Sequence, residues 1–232
     1  MKFIELAVEP IGYNNQLNPK IWHDGKVKPE VRSHLLKIAK HFRQFLDIPT
    51  QVQDVIIAGA QANYTYTKYS DLDLHLVVDY SKIDCDREVA ELFDSKRLLY
   101  KKDHDIKIYG IPVEPGVEDS MTPTVGAAYS ILNQQWIRQP NKTPPKYDPE
   151  ELNHMVNVWT KVIQQSIQTG DLSIMRTVLK LLRKYRKLGL ATDQGEFHVA
   201  NLVYKSLRNS DSVKALQILI DKLYDQKLSI GD

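Results

Sequence analysis

Two aspartates separated by one residue, Asp71 and Asp73, sit in the run SDLDLHLVVD that extends from Ser70 to Asp79. In an extended strand alternate side chains share a face. Asp71, Asp73 and His75 therefore point one way, and Leu72, Leu74 and Leu76 point the other. Two carboxylates held side by side repel each other and lose hydration. A divalent cation is the usual compensation, and hard oxygen ligands suit magnesium or manganese. Upstream, a β-branched run, Val55-Ile56-Ile57-Ala58, ends at Gly59, and a polar and aromatic connector from Ala60 to Ser70 joins it to the aspartates.

Other catalytic signatures are missing from the sequence. The seven histidines show no zinc spacing, and there is no Walker-type glycine loop, no C-x-x-C pair and no serine-hydrolase elbow. Cys85 is the single cysteine, so no internal disulfide can form and a reducing compartment is expected. The start, MKFIELAVEP, carries a glutamate inside its apolar stretch, which argues against a secretory signal. No apolar run approaches the ~18 residues of a membrane helix, and the reading is cytoplasmic, with no membrane partner. The 232 residues, 42% hydrophobic and 26% charged, allow one large or two small globular domains. A formal net charge of +2 does not by itself announce a nucleic-acid binder.

The elements that must position the aspartates are readable in outline. Residues 1–30 are rich in breakers, with Leu17, Ile21 and Trp22 expected to anchor the segment and Trp22 or Lys20 as the alternative substrate contact. A helix is predicted from Pro29 to Leu46, with Val31, Leu35, Ile38, Ala39, Phe42, Phe45 and Leu46 on one face and Pro49 closing it. Ser81 is a plausible cap for a helix over about 84–100, with Val89, Leu92, Phe93 and Leu99 as its apolar face. Asp105–Ile108 and Ile111–Glu114 read as a hairpin turning at Tyr109-Gly110. Tyr129, Leu132 and Trp136 are expected to pack a structural element, and the stretch 139–145 is a linker candidate.

Everything after Asp148 reads as helix. Asp148-Pro149-Glu150-Glu151 is a helix start, with a stripe of Met155, Val158, Trp159, Val162, Ile163 and Ile167. Asp171 caps a second helix carrying Ile174, Val178, Leu181, Leu182 and Tyr185 and ending near Gly189. Two more are expected over about 196–208 and 212–226. The second helix holds the dense basic run Lys180 to Lys187, which most simply solvates its surface and otherwise touches a triphosphate or nucleic acid.

Gly59, Ser70, Asp71 and Asp73 resemble the DNA polymerase β-like nucleotidyltransferase superfamily, whose pattern is a strand ending in Gly-Ser, a connector, and Asp-h-Asp-h on the next strand. The spacing is that of the minimal members, GSxAxG followed by SDIDL, with Ala62 on their small position, Ala60 where they have serine and Asn63-Tyr64 where they often have Arg-Gly. The stretches LNPKIWHDGKVKPEVR, YSILNQQWI and GEFHVANLVYKSLR are also similar to a phage and bacterial subgroup.

The resemblance implies an α+β fold: a short mixed sheet flanked by helices over residues 1–145, then a helical domain over 146–232. It implies metal-dependent transfer of an NMP from an NTP to an acceptor hydroxyl, with pyrophosphate leaving. The acceptor, whether nucleic acid, protein or small molecule, stays open. Two ions, Mg2+ or Mn2+, held by three acids would stabilise the attacking and leaving oxygens. Asp71 and Asp73 are two of those acids. The third falls on the segment VEPGVED, and Glu114 is the match, with Asp105 and Glu118 as alternatives if Pro112 and Pro115 break the strand. Gly59 lets the backbone approach phosphate, the N–H groups of Ala60 and Gln61 donate to it, and Ser70 either bonds it or caps the turn. In the two-lobed layout of the family, Arg183 and Lys187 share a helix face toward the nucleotide, whereas Lys184 and Arg186 point elsewhere. Two further function classes remain: a catalytically reduced member that binds nucleotide or a partner, and a nucleic-acid-binding scaffold.

Overall fold

The computed structural model describes residues 13–47, 51–83, 88–122, 126–143 and 146–230. The expectations placed on Met1–Val8, Pro49 and the start of the helix at 84 lie outside them. The chain divides into two compact units, one of Gly12–Thr143 and another that contains Pro144–Asp232.

The first unit is built on two sheets. A short ribbon pairs β1 (Trp22–His23) with β2 (Lys26–Val27). The main sheet contains β3 (Val52–Ala58), β4 (Leu72–Val78), β5 (Lys107–Ile108), β6 (Ile111–Asp119), β7 (Ala128–Ser130) and β8 (Gln135–Arg138), in the order β5-β6-β4-β3-β7-β8. It is mixed: β4 and β6 run parallel, and the other neighbours run antiparallel. The two strands that carry the sequence signature are thus paired at its centre.

Helices α1 (Pro29–Leu46) and α2 (Glu88–Asp103) supply the cover. Leu72, Leu74, Leu76 and Val78 of β4 pack with Val55 and Ile57 of β3 and with Val31, Leu35, Ala39, Phe42 and Leu46 of α1. That is the one-sided burial the alternation demands. The expected extent of α1 is met to the residue. The apolar face of α2 is met in part: Val89 and Phe93 are buried as expected and Tyr100 joins them, while Leu92 and Leu99 are exposed. Ser81 lies in a short 3-10 turn, Tyr80–Lys82, where the Asp79 side chain accepts from the Ser81 backbone N–H at 3.1 Å.

Proline sits in β6 without breaking it. Val113 N–H donates to the Ile106 carbonyl at 2.9 Å, on the side away from β4. Two residues on, Pro115 presents its nitrogen to that same side, so its missing N–H removes no bond to β4. The hairpin turns through Tyr109 (φ 50°) and Gly110 (φ 82°), the left-handed pair a two-residue turn requires.

Trp22 anchors the N-terminal segment. It is buried, stacks on Trp136 at 4.8 Å, meets Tyr129 edge-on at 5.0 Å and donates its indole N–H to the Gln61 carbonyl at 2.7 Å. Of the trio expected to pack further along, Tyr129 is buried and Trp136 packs against the core. Leu132 is exposed, and its neighbour Ile131 takes the buried place.

The second unit holds α3 (Pro149–Gln168), α4 (Leu172–Leu190), α5 (Val199–Asn209) and α6 (Ser212–Leu228). Asp148 and Asp171 cap α3 and α4 as their sequences direct, each accepting two backbone N–H groups of the first turn. The expected stripes hold in the main: Ile163, Val178 and Leu182 are buried, and Met155, Trp159, Val162, Ile167 and Tyr185 pack against the same core. Leu152, Val156 and Ile163 carry the core of α3, and Val158 is exposed. In α4 the buried set is Met175, Val178, Leu179 and Leu182, with Ile174 and Leu181 exposed. Among the described residues no helix is long and apolar enough to cross a membrane.

Candidate functional site

The geometry of the site starts from strand register. Asp73 pairs with Ala58 on β3 and with Glu114 on β6. Residues opposite one another in a parallel pair share a face, so the Asp73 and Glu114 carboxylates stand abreast, followed by His75 beside Gly116. Of the three acids considered for the last position, Glu114 is the one in register with Asp73. Asp105 is exposed and pairs with Lys107 at 2.6 Å. Glu118 is buried and accepts from His75 Nδ1 at 3.0 Å.

Gly59 is held against Asp73. Its backbone has φ 68° and ψ −156°, a conformation essentially restricted to glycine. A Cβ at that position would fall on the Asp73 Oδ2 atom, with the carboxyl carbon 3.0 Å away. The chain then enters a 3-10 turn, Ala60–Ala62, closed by Ala62 N–H to the Gly59 carbonyl at 3.2 Å and Asn63 N–H to the Ala60 carbonyl at 3.1 Å. The N–H groups of Ala60 and Gln61 are not used within that turn.

Gln61 and Ser70 have work within the fold. The Gln61 side chain is buried, donates to the Ser70 carbonyl at 3.1 Å and accepts from Asn18 Nδ2 at 2.9 Å. Ser70 Oγ accepts from Thr67 N–H at 2.9 Å, which ties it to the turn while its O–H can still donate. Asp71 lies one residue outside β4 and is half-buried.

Asp73, Glu114 and His75 open onto a cavity of about 330 Å3, walled on the other side by Ala90, Phe93, Asp94 and Arg97 of α2 and by Tyr80. Asp71 does not line it. The cavity is acidic in effect. Burial, and then the charges of Asp119, Asp94 and Glu118, push the Tyr80 phenol up to about 12. Two cations answer from α2: Lys101 pairs with Glu114, and Arg97 with Asp94 at 3.1 Å.

The donors fit a hard divalent cation by type, since all are carboxylates, and by the glycine backbone that leaves room beside one of them. They are not gathered into a closed site. Among the described residues no group of three or more His, Cys, Asp or Glu side chains is disposed to hold a metal ion. Lys101, a partner the sequence did not reveal, occupies Glu114. The packing of α2 along β6 decides that contact, and no local pattern encodes it.

In the helical unit Arg183 and Lys187 share a face, as helical spacing requires. Arg186 joins them on one cleft, contrary to the expected separation, because it is one turn from Arg183 and is drawn in by Asn201 at 3.1 Å.

Comparison with known proteins adds one likeness. No family model matches the chain, and no curated protein matches it by sequence. A solved structure of a STING-associated CdnE c-di-GMP synthase from Capnocytophaga granulosa aligns over 87% of this chain and 83% of its own, with 15% identity and a TM-score of 0.21. A score that low carries no argument, and the functional reading rests on the residues of this chain.

Proposed function

We propose that this protein is a metal-dependent nucleotidyltransferase, moving an NMP from an NTP to an acceptor hydroxyl. The observation that carries the reading is the register of Asp73 and Glu114 on parallel neighbouring strands, with the Gly59 backbone pressed against Asp73. Asp71, Asp73 and Glu114 would hold Mg2+ or Mn2+, which when bound would offset the charge that builds on the attacking and leaving oxygens. The acceptor oxygen bonds to the α-phosphorus, the bond to the β-phosphate breaks, and a carboxylate of the set takes the hydroxyl proton. Gly59 lets the backbone approach the phosphates, and Ala60 and Gln61 offer their backbone N–H groups to them. The test is divalent-dependent release of pyrophosphate from each of the four NTPs, alone and with bulk RNA. Release with none of them in either ion would remove the proposal.

One observation favours the second reading, a catalytically reduced member that binds a nucleotide or a partner: Lys101 already neutralises Glu114. The two readings part on Lys101→Met. If Glu114 is an ion ligand, removing its competitor should tighten Mn2+ binding about threefold to fivefold, the worth of a half-exposed ion pair. Titration followed by the paramagnetic resonance of free Mn2+ reads this directly. Unchanged or weaker affinity would take Glu114 out of the ligand set.

A further inference from the structure

We propose that the helical unit carries an oligophosphate-binding site of its own, formed by Arg183, Arg186 and Lys187 of α4 with Tyr204 of α5. The three cations are spaced i, i+3 and i+4, which brings them onto one face. With Leu190 and Tyr204 they line a cleft of about 270 Å3.

What separates this cleft from an ordinary solvated face is how its arginines are held. Arg186 Nε donates to Asn201 Oδ1 at 3.1 Å, and its guanidinium lies 4.6 Å over the Tyr204 ring. Asn201 is only 1% exposed and is itself fixed by donating to the Glu196 carbonyl at 2.6 Å. Arg183 donates to Gln217 Oε1 at 2.9 Å, and Gln217 donates on to Asp221 at 2.8 Å. Each guanidinium is therefore positioned by a neutral acceptor. Among the described residues none of the three cations pairs with a carboxylate. Fixing an arginine costs about 2 kcal/mol of rotamer entropy, so a cleft with that cost already met and its charge uncancelled is preorganised for an anion.

The arrangement favours a compact, multiply charged anion. Three cations within one helical turn, with Cβ atoms about 5–6 Å apart, match the charge density of a phosphate chain. A long polyanion would want an extended basic surface, and residues 146–232 hold 13 Lys and Arg against 10 Asp and Glu. The chemistry is that of a triphosphate, whether free or borne by a nucleotide. Its donors are all cationic side chains, so it needs no metal.

The experiment is calorimetric titration of the full chain with inorganic tripolyphosphate in EDTA at fixed ionic strength. Saturable binding is expected, weakened at least tenfold by Arg183→Gln/Lys187→Gln and by Arg186→Gln. Binding should be unchanged by Lys180→Gln/Lys184→Gln, and this pair and Arg183→Gln/Lys187→Gln should both keep the wild-type unfolding temperature. Competition by ATP would assign the chain to a nucleotide, and binding without such competition to an inorganic oligophosphate; either supports the site. Three results would overturn it: no saturation up to millimolar tripolyphosphate, equal weakening by the Lys180/Lys184 pair, or tighter binding of a uridine 12-mer than of tripolyphosphate. Because the titration is run in EDTA, without the divalent ion that transfer requires, failure of the transferase reading and failure of this site are told apart.

Discussion

Gly59→Ala is expected to melt the sheet unit roughly 10 °C lower, corresponding to a loss of about 3 kcal/mol, and to remove transfer activity with it. Two effects add. The backbone at φ 68°, ψ −156° costs a residue with a Cβ about 1–3 kcal/mol. The new methyl group would also occupy the place of the Asp73 carboxylate, which must then leave its register beside Glu114. Gly110→Ala is the control that separates them. Gly110 has φ 82° with nothing within 4 Å of the added Cβ, so it reports backbone strain alone. Thermal unfolding of the two variants should differ, with Gly59→Ala the less stable. Equal unfolding temperatures would mean that Asp73 yields its place at no cost.

Asp73→Asn should have the opposite profile, with activity lost and stability kept or raised. Asn retains the size of the side chain and its place in β4. The charge it removes stands beside Glu114, whose own charge Lys101 offsets, so the repulsion relieved is small and the fold changes little. Pyrophosphate release should fall on the order of 10²–10³-fold, the loss that follows removal of one electrostatic stabiliser. An unfolding temperature at or above that of the wild type, beside that fall, would mark Asp73 as kept for chemistry and not for the fold. A variant with wild-type rates would take Asp73 out of the reaction.

Much of the framework was legible because local patterns determine it. The period-two alternation of Leu72, Leu74 and Leu76 commits β4 to one buried face and hands Asp73 and His75 to the other. Pro29, Asp148 and Asp171 fix helix starts through backbone chemistry that does not depend on distant contacts. The register of Glu114 followed from pattern matching, and neither flanking proline breaks the strand: Pro112 precedes the pairing with β4, which starts at Val113, and the Pro115 nitrogen faces away from β4.

What escaped was decided by packing. Leu92, Leu98 and Leu99 give α2 more apolar residues than one face can bury; Val89 and Phe93 are buried as expected, and Tyr100 takes the place expected of Leu92 and Leu99. The same ambiguity misplaced single members of the α3 and α4 stripes: Val158, Ile174 and Leu181 are exposed, while Leu152, Val156, Met175 and Leu179 are buried beside the expected residues. Lys101 on Glu114, Glu118 on His75 and Asn201 on Arg186 join residues 13, 43 and 15 positions apart through separate elements. Gln61 shows the converse: a position assigned to the ligand by resemblance also serves the fold through its side chain, with its backbone N–H left to either role.

The central claim is that the chain transfers a nucleotidyl group, and labelling the same NTP at two phosphates tests it most directly. Purified protein with Mg2+ or Mn2+ is given each NTP carrying radioactive phosphorus at the α or the γ position, alone and with bulk RNA or protein as acceptor. The account predicts that α-label enters a product while γ-label leaves as pyrophosphate, and that Asp73→Asn does neither. Label entering from the γ position, or none entering from the α position of any NTP under any of these conditions, would contradict it.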